Sequence, residues 1–230
     1  ANYRGDVAVT LPGGDFGANK GKVFVHARFG QGDGLALRHT YTGTANSTTF
    51  SGTDPDDTQF TLAQAWYQLD APLSQRGEHK AVFTVGKIDP FGFFDQNAIA
   101  DDETRHFVNN VFVHNPLLDS GGDIGADRFG FSPGAVAAYE NSSDKSMPWG
   151  ASLGVFGSGH GANFSGSSGK AFVMAQAWIA PRINQLPGTY RAYAWSNARG
   201  ADFDGSDARH AGVGMSLDQR FTDELTLFAR

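Results

Sequence analysis

Apolar and polar residues alternate along most of this chain with a period of two, which is typical of strands that bury one face. Most of the predicted strands are longer than the roughly 5–6 residues usual in globular proteins. They approach the ~9–11 residues that a tilted transmembrane strand needs. The ten predicted strands lie at 3–11, 22–29, 60–71, 80–89, 131–141, 148–157, 171–181, 189–197, 210–217 and 225–230.

The connections between these strands alternate in length. Short connections follow every odd-numbered strand, and the connections after the even-numbered strands are longer, with the longest at 30–59 and 90–130. An up-and-down meander with tight turns at one rim produces this alternation. Outer-membrane barrels have short periplasmic turns and longer extracellular loops, whereas Greek-key sandwiches have no reason to alternate so regularly.

The two faces of the predicted strands differ in character. At 60–71 one face carries Thr61, Ala63, Ala65, Tyr67, Leu69 and Ala71, and the other carries Leu62, Gln64, Trp66, Gln68 and Asp70. We interpret the small aliphatic faces, with aromatic residues toward their ends, as lipid-facing, and the polar faces as lining a water-filled interior. An ordinary solvated sheet face remains the alternative. Strand 80–89 is apolar on both sides and allows no assignment.

Composition narrows the class of protein. The 230 residues include 30 glycines and 13% aromatic residues, which argues against disorder and against a helical bundle. The net charge of −6 argues against a nucleic-acid partner. The absence of cysteine excludes disulfides and Cys-ligated zinc. No stretch is apolar enough for a spanning helix. We expect one domain over 1–230 that continues past Arg230, because the last strand stops without a closing turn.

Two sequence motifs occur twice. The tetrapeptide Ala-Gln-Ala-Trp stands at 63–66 and 175–178, and Phe-Gly-x-Gly-x-Gly stands at 29–34 and 156–161. Each glycine motif ends a predicted strand and precedes the next Ala-Gln-Ala-Trp strand. Neither copy opens a helix, so nucleotide-binding loops are disfavoured. A barrel built from similar hairpins accounts for the repetition.

Alternation stops in the connection at 90–130. Asp101 or Asp102 is expected to cap a short helix there, with Glu103 in its first turn. Its apolar stripe would consist of Phe107, Val108, Val111 and Phe112. A connection of this length is usually functional, and in a barrel it can fold inward and narrow the pore.

The same region resembles the signature of the OprB-type carbohydrate-selective porins. The matching residues are Gly86-Lys87-Ile88-Asp89-Pro90, then Phe94-Asp95-x-Asn97-x-x-Ala100-x-Asp102-Glu103-Thr104-x-x-Phe107, then Phe112-Val113-x-Asn115-Pro116, and upstream Phe24-Val25-His26-x-Arg28-Phe29-Gly30-Gln31-Gly32-Asp33-Gly34-Leu35 and Ala63-Gln64-Ala65-Trp66-Tyr67. The resemblance implies an all-β, antiparallel, sixteen-stranded barrel in the outer membrane of a Gram-negative bacterium. It would pass monosaccharides such as glucose, and ions, by diffusion. The ten strands read here would be part of that barrel.

A sugar carries no charge, so its selection depends on shape, hydrogen bonds and stacking. Arginine offers five fixed donors, and tryptophan offers a flat apolar face with a polar tip. Partners would be small sugars and lipid, with no cofactor, and the porin class allows a homo-oligomer. Candidate pore-lining residues are His26, Arg28, Gln64, Trp66, Gln68, Lys87, Gln176, Trp178, Arg191, Tyr193 and Trp195 on the strands, with Asp95 and Arg105 from the long connection.

Other functions have weaker support in the sequence. No hydrolase or metalloprotease motif is present, and we expect no enzyme activity. The carboxylates at 101–103 are more typical of a helix cap than of a glycosidase pair. Asp202, Asp204 and Asp207 have the spacing of calcium ligands but lack a closing glutamate. The alternative from another class is a soluble β-sandwich that binds sugars.

Overall fold

The protein is all-β, and its strands form one antiparallel sheet. The computed structural model describes residues 3–32, 54, 56–107, 109–119, 123–127, 129–159, 161–164, 170–202, 204 and 206–230. Within them the strands are β1 Tyr3–Phe16, β2 Asn19–Gln31, β3 Gln59–Pro72, β4 His79–Ile88, β5 Ser132–Asn141, β6 Trp149–Phe156, β7 Phe172–Ile179, β8 Arg182–Ile183, β9 Leu186–Ala201, β10 Asp207–Arg220 and β11 Thr226–Ala229. Each strand pairs with its neighbour in sequence, with one exception. The two-residue β8 pairs only with β9, and β7 pairs directly with β9.

The sequence prediction of an antiparallel meander is confirmed. All ten predicted strands are present, and the connections are short and long in turn, beginning with a two-residue turn at 17–18 and then the long connection after Gln31. A sandwich would need two stacked sheets, and the strands form one. Several strands extend beyond the alternation: β1 continues to Phe16, and β9 and β10 are 16 and 14 residues long. Seven of the strands have ten or more residues.

One face of the sheet, the outer face, exposes apolar side chains from almost every strand. Val213 on β10 is 77% exposed, and Val85 on β4 is 58% exposed. Soluble proteins rarely expose a contiguous apolar surface of this extent. The same face includes Val7, Val9, Leu11, Val25, Phe60, Leu62, Phe83, Trp149, Leu153, Val155, Val173, Ile179, Met215 and Leu227.

A β-bulge in β3 corrects the predicted faces of that strand. His26 of β2 faces Gln64, but the next residue, Ala27, faces Leu62, so Ala63 is the extra residue. Before the bulge the faces are exchanged: Leu62 is exposed and Thr61 is buried. From Gln64 onward the predicted faces hold. A bulge shifts the alternation by one residue, and a period-two pattern read straight through it therefore assigns one half of the strand to the wrong face.

The structure assigns the two faces of β4. Phe83 and Val85 point to the outer face, whereas Val82, Thr84 and Ile88 are buried on the opposite, inner face. Ile88 packs in the buried cluster beneath the connection from β4 to β5, whereas Val82 and Thr84 line a cavity of the inner face.

The predicted helix at Asp102 is wrong in position. The Asp102 carboxylate accepts a hydrogen bond from the N–H of Thr104, as a cap would, but the chain forms only one turn before leaving the helical path. Two four-residue helices follow instead, α1 at Asn110–Val113 and α2 at Pro116–Asp119. Asn115 caps α2 through the N–H of Leu117, and Pro116 prevents the two helices from merging. Val108 of the predicted stripe lies outside the described residues. None of the described helices is long and apolar enough to span a membrane.

The described residues of the connection from β4 to β5, within 89–131, lie against the inner face and are called the inner segment below. Its Phe94 and Leu118 are fully buried, in a cluster with Phe156, Phe172 and Trp195 from β6, β7 and β9. The core of the molecule therefore lies between the sheet and this segment, and the outer face takes no part in it.

The sheet is strongly curved around the inner segment. Arg4 on β1 binds Glu103 at 3.2 Å, and Arg230 directly after β11 lies 3.7 Å from Asp101. The two carboxylates are two residues apart, at most about 7 Å along the backbone. The two outermost strands are separated by nine inter-strand spacings, about 43 Å if the sheet were flat. Two arginine side chains cannot bridge that width, so the edges must curl toward each other. In the described part of the chain β1 pairs only with β2, and β11 pairs only with β10.

Candidate functional site

The candidate site is the space between the inner face and the inner segment, and Asp95 is its central residue. Asp95 is fully buried and has a left-handed backbone with φ 56°. Its carboxylate accepts hydrogen bonds from the Tyr193 hydroxyl (2.7 Å), Arg230 Nε (3.1 Å) and the Asn115 N–H (2.6 Å). A buried carboxylate is tolerated only with such partners. Asp95 therefore joins β9 and the end of β11 to the inner segment.

The two Ala-Gln-Ala-Trp motifs contact the inner segment in the same way. Gln64 Oε1 accepts a hydrogen bond from the N–H of Asp89 (3.4 Å), and Gln176 Oε1 accepts one from the N–H of Asp95 (3.0 Å). Each glutamine thus satisfies a backbone donor of a segment that lacks sheet partners. The repeat holds the segment at two points on opposite sides of the curved sheet.

Cavity 1, of about 500 Å³, lies between the first three strands and the inner segment. Six carboxylates, three arginines and two histidines line it. On its wall, His26 and Arg28 converge on Asp6 at 2.8 and 3.0 Å. Phe91 of the inner segment stacks on His114 with 3.9 Å between ring centroids.

Three ionisable groups of the inner segment around cavity 1, Asp89, Asp101 and His114, have raised pKa values. Burial raises the pKa of Asp101 to about 7, although the Asn97 N–H and Arg230 favour its charged form. Burial also raises the pKa of Asp89. For His114 burial acts in the opposite direction, but the hydrogen bond and charge of Asp119 outweigh it, so its pKa is raised. The charge of cavity 1 consequently depends on pH near neutrality.

Cavity 2, of about 370 Å³, lies on the other side of Gly92, toward the short turns. Gly92 contributes to both cavities, so the start of the inner segment separates two chambers. Of the predicted residues, Gln68, Gln176, Trp178 and Arg191 line this second chamber. Arg191 Nη1 is 3.4 Å from Asp218.

Most of the remaining predicted residues also lie on the inner face. Trp66 stacks on Phe24 at 4.7 Å. Lys87 instead has the register of the outer-face residue Val85 and lines neither cavity, and its Nζ reaches Asp127 at 3.3 Å and the backbone oxygen of Leu62 at 2.9 Å. Tyr193 and Trp195 are buried against the inner segment, where the Trp195 indole donates to Asp123. These two residues therefore bind the inner segment, whereas the sequence predicted only that they line the pore.

The residues predicted in connections have different settings. The Arg105 side chain is 80% exposed at the edge of cavity 1, 3.6 Å from Asp102. Asp207 pairs with Arg199 at 3.0 Å, and Asp204 accepts from the N–H of Ser206 in a turn. Among the described residues no group of three or more His, Asp or Glu side chains is placed to hold a metal ion.

Sequence reasoning missed four partners in the site: Asp6, Asn115 as a ligand of Asp95, Asp123 and Arg230. In the period-two alternation, Asp6 of β1 and Arg230 directly after β11 stand at inner-face positions. This alternation is the one feature of the sequence that could have identified them. Asn115 stands in the quoted motif, but nothing there points to Asp95, twenty residues away.

No protein-family profile, curated protein or solved structure matches this chain significantly.

Proposed function

We propose that this chain forms the wall and constriction of an outer-membrane porin through which small carbohydrates diffuse. The observation that carries the proposal is the inverted distribution of side chains. The outer face exposes valine, leucine and phenylalanine across the sheet, while arginine, histidine and aspartate converge on the inner face. A membrane barrel requires this distribution, because lipid is outside and water is inside.

The inner segment supports a constricted pore. It is attached to strands from β1 to the end of β11 by Glu103, Asp95 and Asp101, and chambers lie on both sides of Gly92. A solute passing between the rims would meet this segment about midway. Polar side chains and aromatic faces in both chambers offer the weak, repeated contacts that diffusion of a sugar requires.

Aromatic residues near the rims of the outer face further support a position in a membrane. Tyr139 and Trp149 lie 5.4 Å apart near the short turns, and Phe29 pairs with Phe60 near the opposite rim. Such residues form the girdles at the two membrane interfaces of outer-membrane barrels. The resemblance to OprB-type porins points to the same location and to sugars as the solutes.

Liposome swelling tests the proposal directly. Protein extracted in detergent and reconstituted into liposomes should admit glucose and should not admit a tetrasaccharide, because the inner segment narrows the path. Liposomes without protein are the control. Protein that dissolves in buffer without detergent and leaves liposomes sealed to glucose would instead favour the soluble sugar-binding alternative.

A further inference from the structure

Cavity 2 has a chemical character different from that of cavity 1. Its walls come from the ends of β3, β5, β7 and the start of β9, near the short turns, and from the part of the inner segment around Phe93 and Gln96. Its volume of about 370 Å³ is at the small end of the range for ligand sites, ~300–1,000 Å³. It is therefore sized for one small ring rather than for a chain of rings.

Trp178 provides a flat wall of cavity 2. It lies opposite Gly150 on β6 and Arg191 on β9. A Cβ atom on Gly150 would lie only 2.7 Å from Cε2 and Cζ2 of the indole, so glycine is needed for the ring to rest on the β6 backbone. The sheet thus fixes the orientation of the indole, and the rest of the ring lines the cavity.

The charged groups of cavity 2 already have counterions within the protein. Arg191 is paired with Asp218 at 3.4 Å, and Glu140 with Lys80 at 3.0 Å. A charged ligand would have to compete with these pairs, whereas an uncharged one would not. The guanidinium has five N–H donors, so donors remain beside the one used for Asp218.

Neutral hydrogen-bonding groups complete the lining. The Trp178 indole N–H and the Thr189 hydroxyl make no hydrogen bond to another described residue, and Gln96 uses its amide nitrogen for the Gly92 carbonyl, which leaves its side-chain oxygen to accept. A stacking surface, donors and acceptors around a charge-balanced space suit a polyhydroxylated ring.

From these observations we propose that cavity 2 is a binding subsite for a single uncharged monosaccharide on the short-turn side of the constriction. The inference deepens the proposed function and rests on it for the source of the ligand. The sugar stacks on Trp178, and its hydroxyls bond to Arg191, Gln96 and Thr189. Selection for a neutral ring therefore takes place in cavity 2, whereas the charge in cavity 1 acts on ions.

Calorimetric titration of the purified protein in detergent tests the subsite. The probes are D-glucose, D-glucuronate and D-glucosamine, which share a pyranose ring and differ in charge. We expect saturable binding of glucose, a Kd about tenfold higher in Trp178→Ala, and weaker binding of both charged sugars. Trp149→Ala, which removes an indole from the outer face, is the matched control and should leave the Kd unchanged. If Trp178→Ala does not fold, the Kd for glucose is measured in Trp178→Phe and Thr189→Val instead.

Several results would overturn the subsite: no glucose binding by the wild type, a wild-type Kd in all three cavity variants, or tighter binding of glucuronate or glucosamine. Swelling of liposomes in glucose without any of this binding would remove the subsite and leave the pore in place. Binding that depends on Trp178 in a protein that leaves liposomes sealed would support the subsite and remove the pore.

Discussion

At the scale of single residues, Asp95 determines how the inner segment is held. A fully buried carboxylate in a left-handed conformation costs free energy, and Tyr193, Arg230 and Asn115 offset that cost with hydrogen bonds. Arg230 adds further bonds to the backbone oxygens of Asp95 and Phe112. One ion pair therefore ties a loop and a strand end that are 135 residues apart.

Replacing Asp95 by alanine should lower the free energy of unfolding by about 3–5 kcal/mol, because Arg230 would stay buried without its nearest counterion and keep only the longer contact with Asp101. Denaturant unfolding in detergent micelles measures the loss. Asp223→Ala is the control: this carboxylate also binds an arginine, Arg220 at 2.9 Å, but its side chain is 91% exposed, so we expect little change. Equal losses in the two variants would contradict the central role of Asp95.

The sequence predicted which residues gather in the site better than it predicted their contacts. Gln176, Tyr193 and Asp95 were all expected around the pore, and Gln176 and Tyr193 are each hydrogen-bonded to Asp95. Strand parity states which face a side chain occupies. It does not state which distant loop residue lies there, because that depends on how the sheet curves.

At the scale of elements, the alternation of apolar and polar residues was sufficient to predict the strands but not the β-bulge or the helices. The strands were predictable because each buries one face, so the pattern repeats throughout. The bulge at Ala63 was not, since one inserted residue leaves the local alternation intact on both sides. The helix was misplaced because an Asp cap such as Asp102 also begins a single turn, and only the later Asn115-Pro116 pair fixes where α2 starts.

The inner segment should make stability depend on pH through Asp101. Its folded-state pKa of about 7 is above the ordinary aspartate value of 3.8, so the folded protein binds the proton more tightly than the unfolded chain. Stability should therefore fall as pH rises from about 4 to 7, by on the order of 3 kcal/mol from this group. Asp101→Asn keeps an oxygen that can accept from Asn97 and cannot ionise, so it should remove that fall.

Unfolding midpoints at pH 4.5 and pH 8 for both proteins measure this effect. The wild type and Asp101→Asn should be similar at the lower pH, and the variant should be the more stable at the higher pH. A variant that is less stable at pH 8 would mean that the Asp101 carboxylate stabilises the fold through Arg230, and would contradict the raised pKa.

At the scale of the whole molecule, two surfaces of opposite character are separated by a single curved sheet. The outer face is apolar and exposed, whereas the inner face carries both the buried apolar cluster and the charged residues and is covered by the inner segment. The alternation of apolar and polar residues along the strands predicts that the sheet has two different faces. Which way the sheet curves depends on contacts such as Arg4 with Glu103, 99 residues apart, which no local pattern contains. A curved sheet was therefore expected by analogy with outer-membrane barrels, from the alternating connection lengths and the two kinds of strand face, and from the resemblance to porins, and not from any contact.

Neighbouring positions on β5 allow a direct test of these two surfaces. Ala137 lies on the outer face, and Ala138 lines cavity 2 on the inner face. The chain has no cysteine, so Ala137→Cys and Ala138→Cys each provide a unique site for an environment-sensitive fluorophore. Reconstituted in bilayers, the label at 137 should be quenched by spin-labelled lipid and not by aqueous iodide, and the label at 138 by iodide and not by lipid. Quenching of both labels by iodide, or a reversal of the two, would contradict the account.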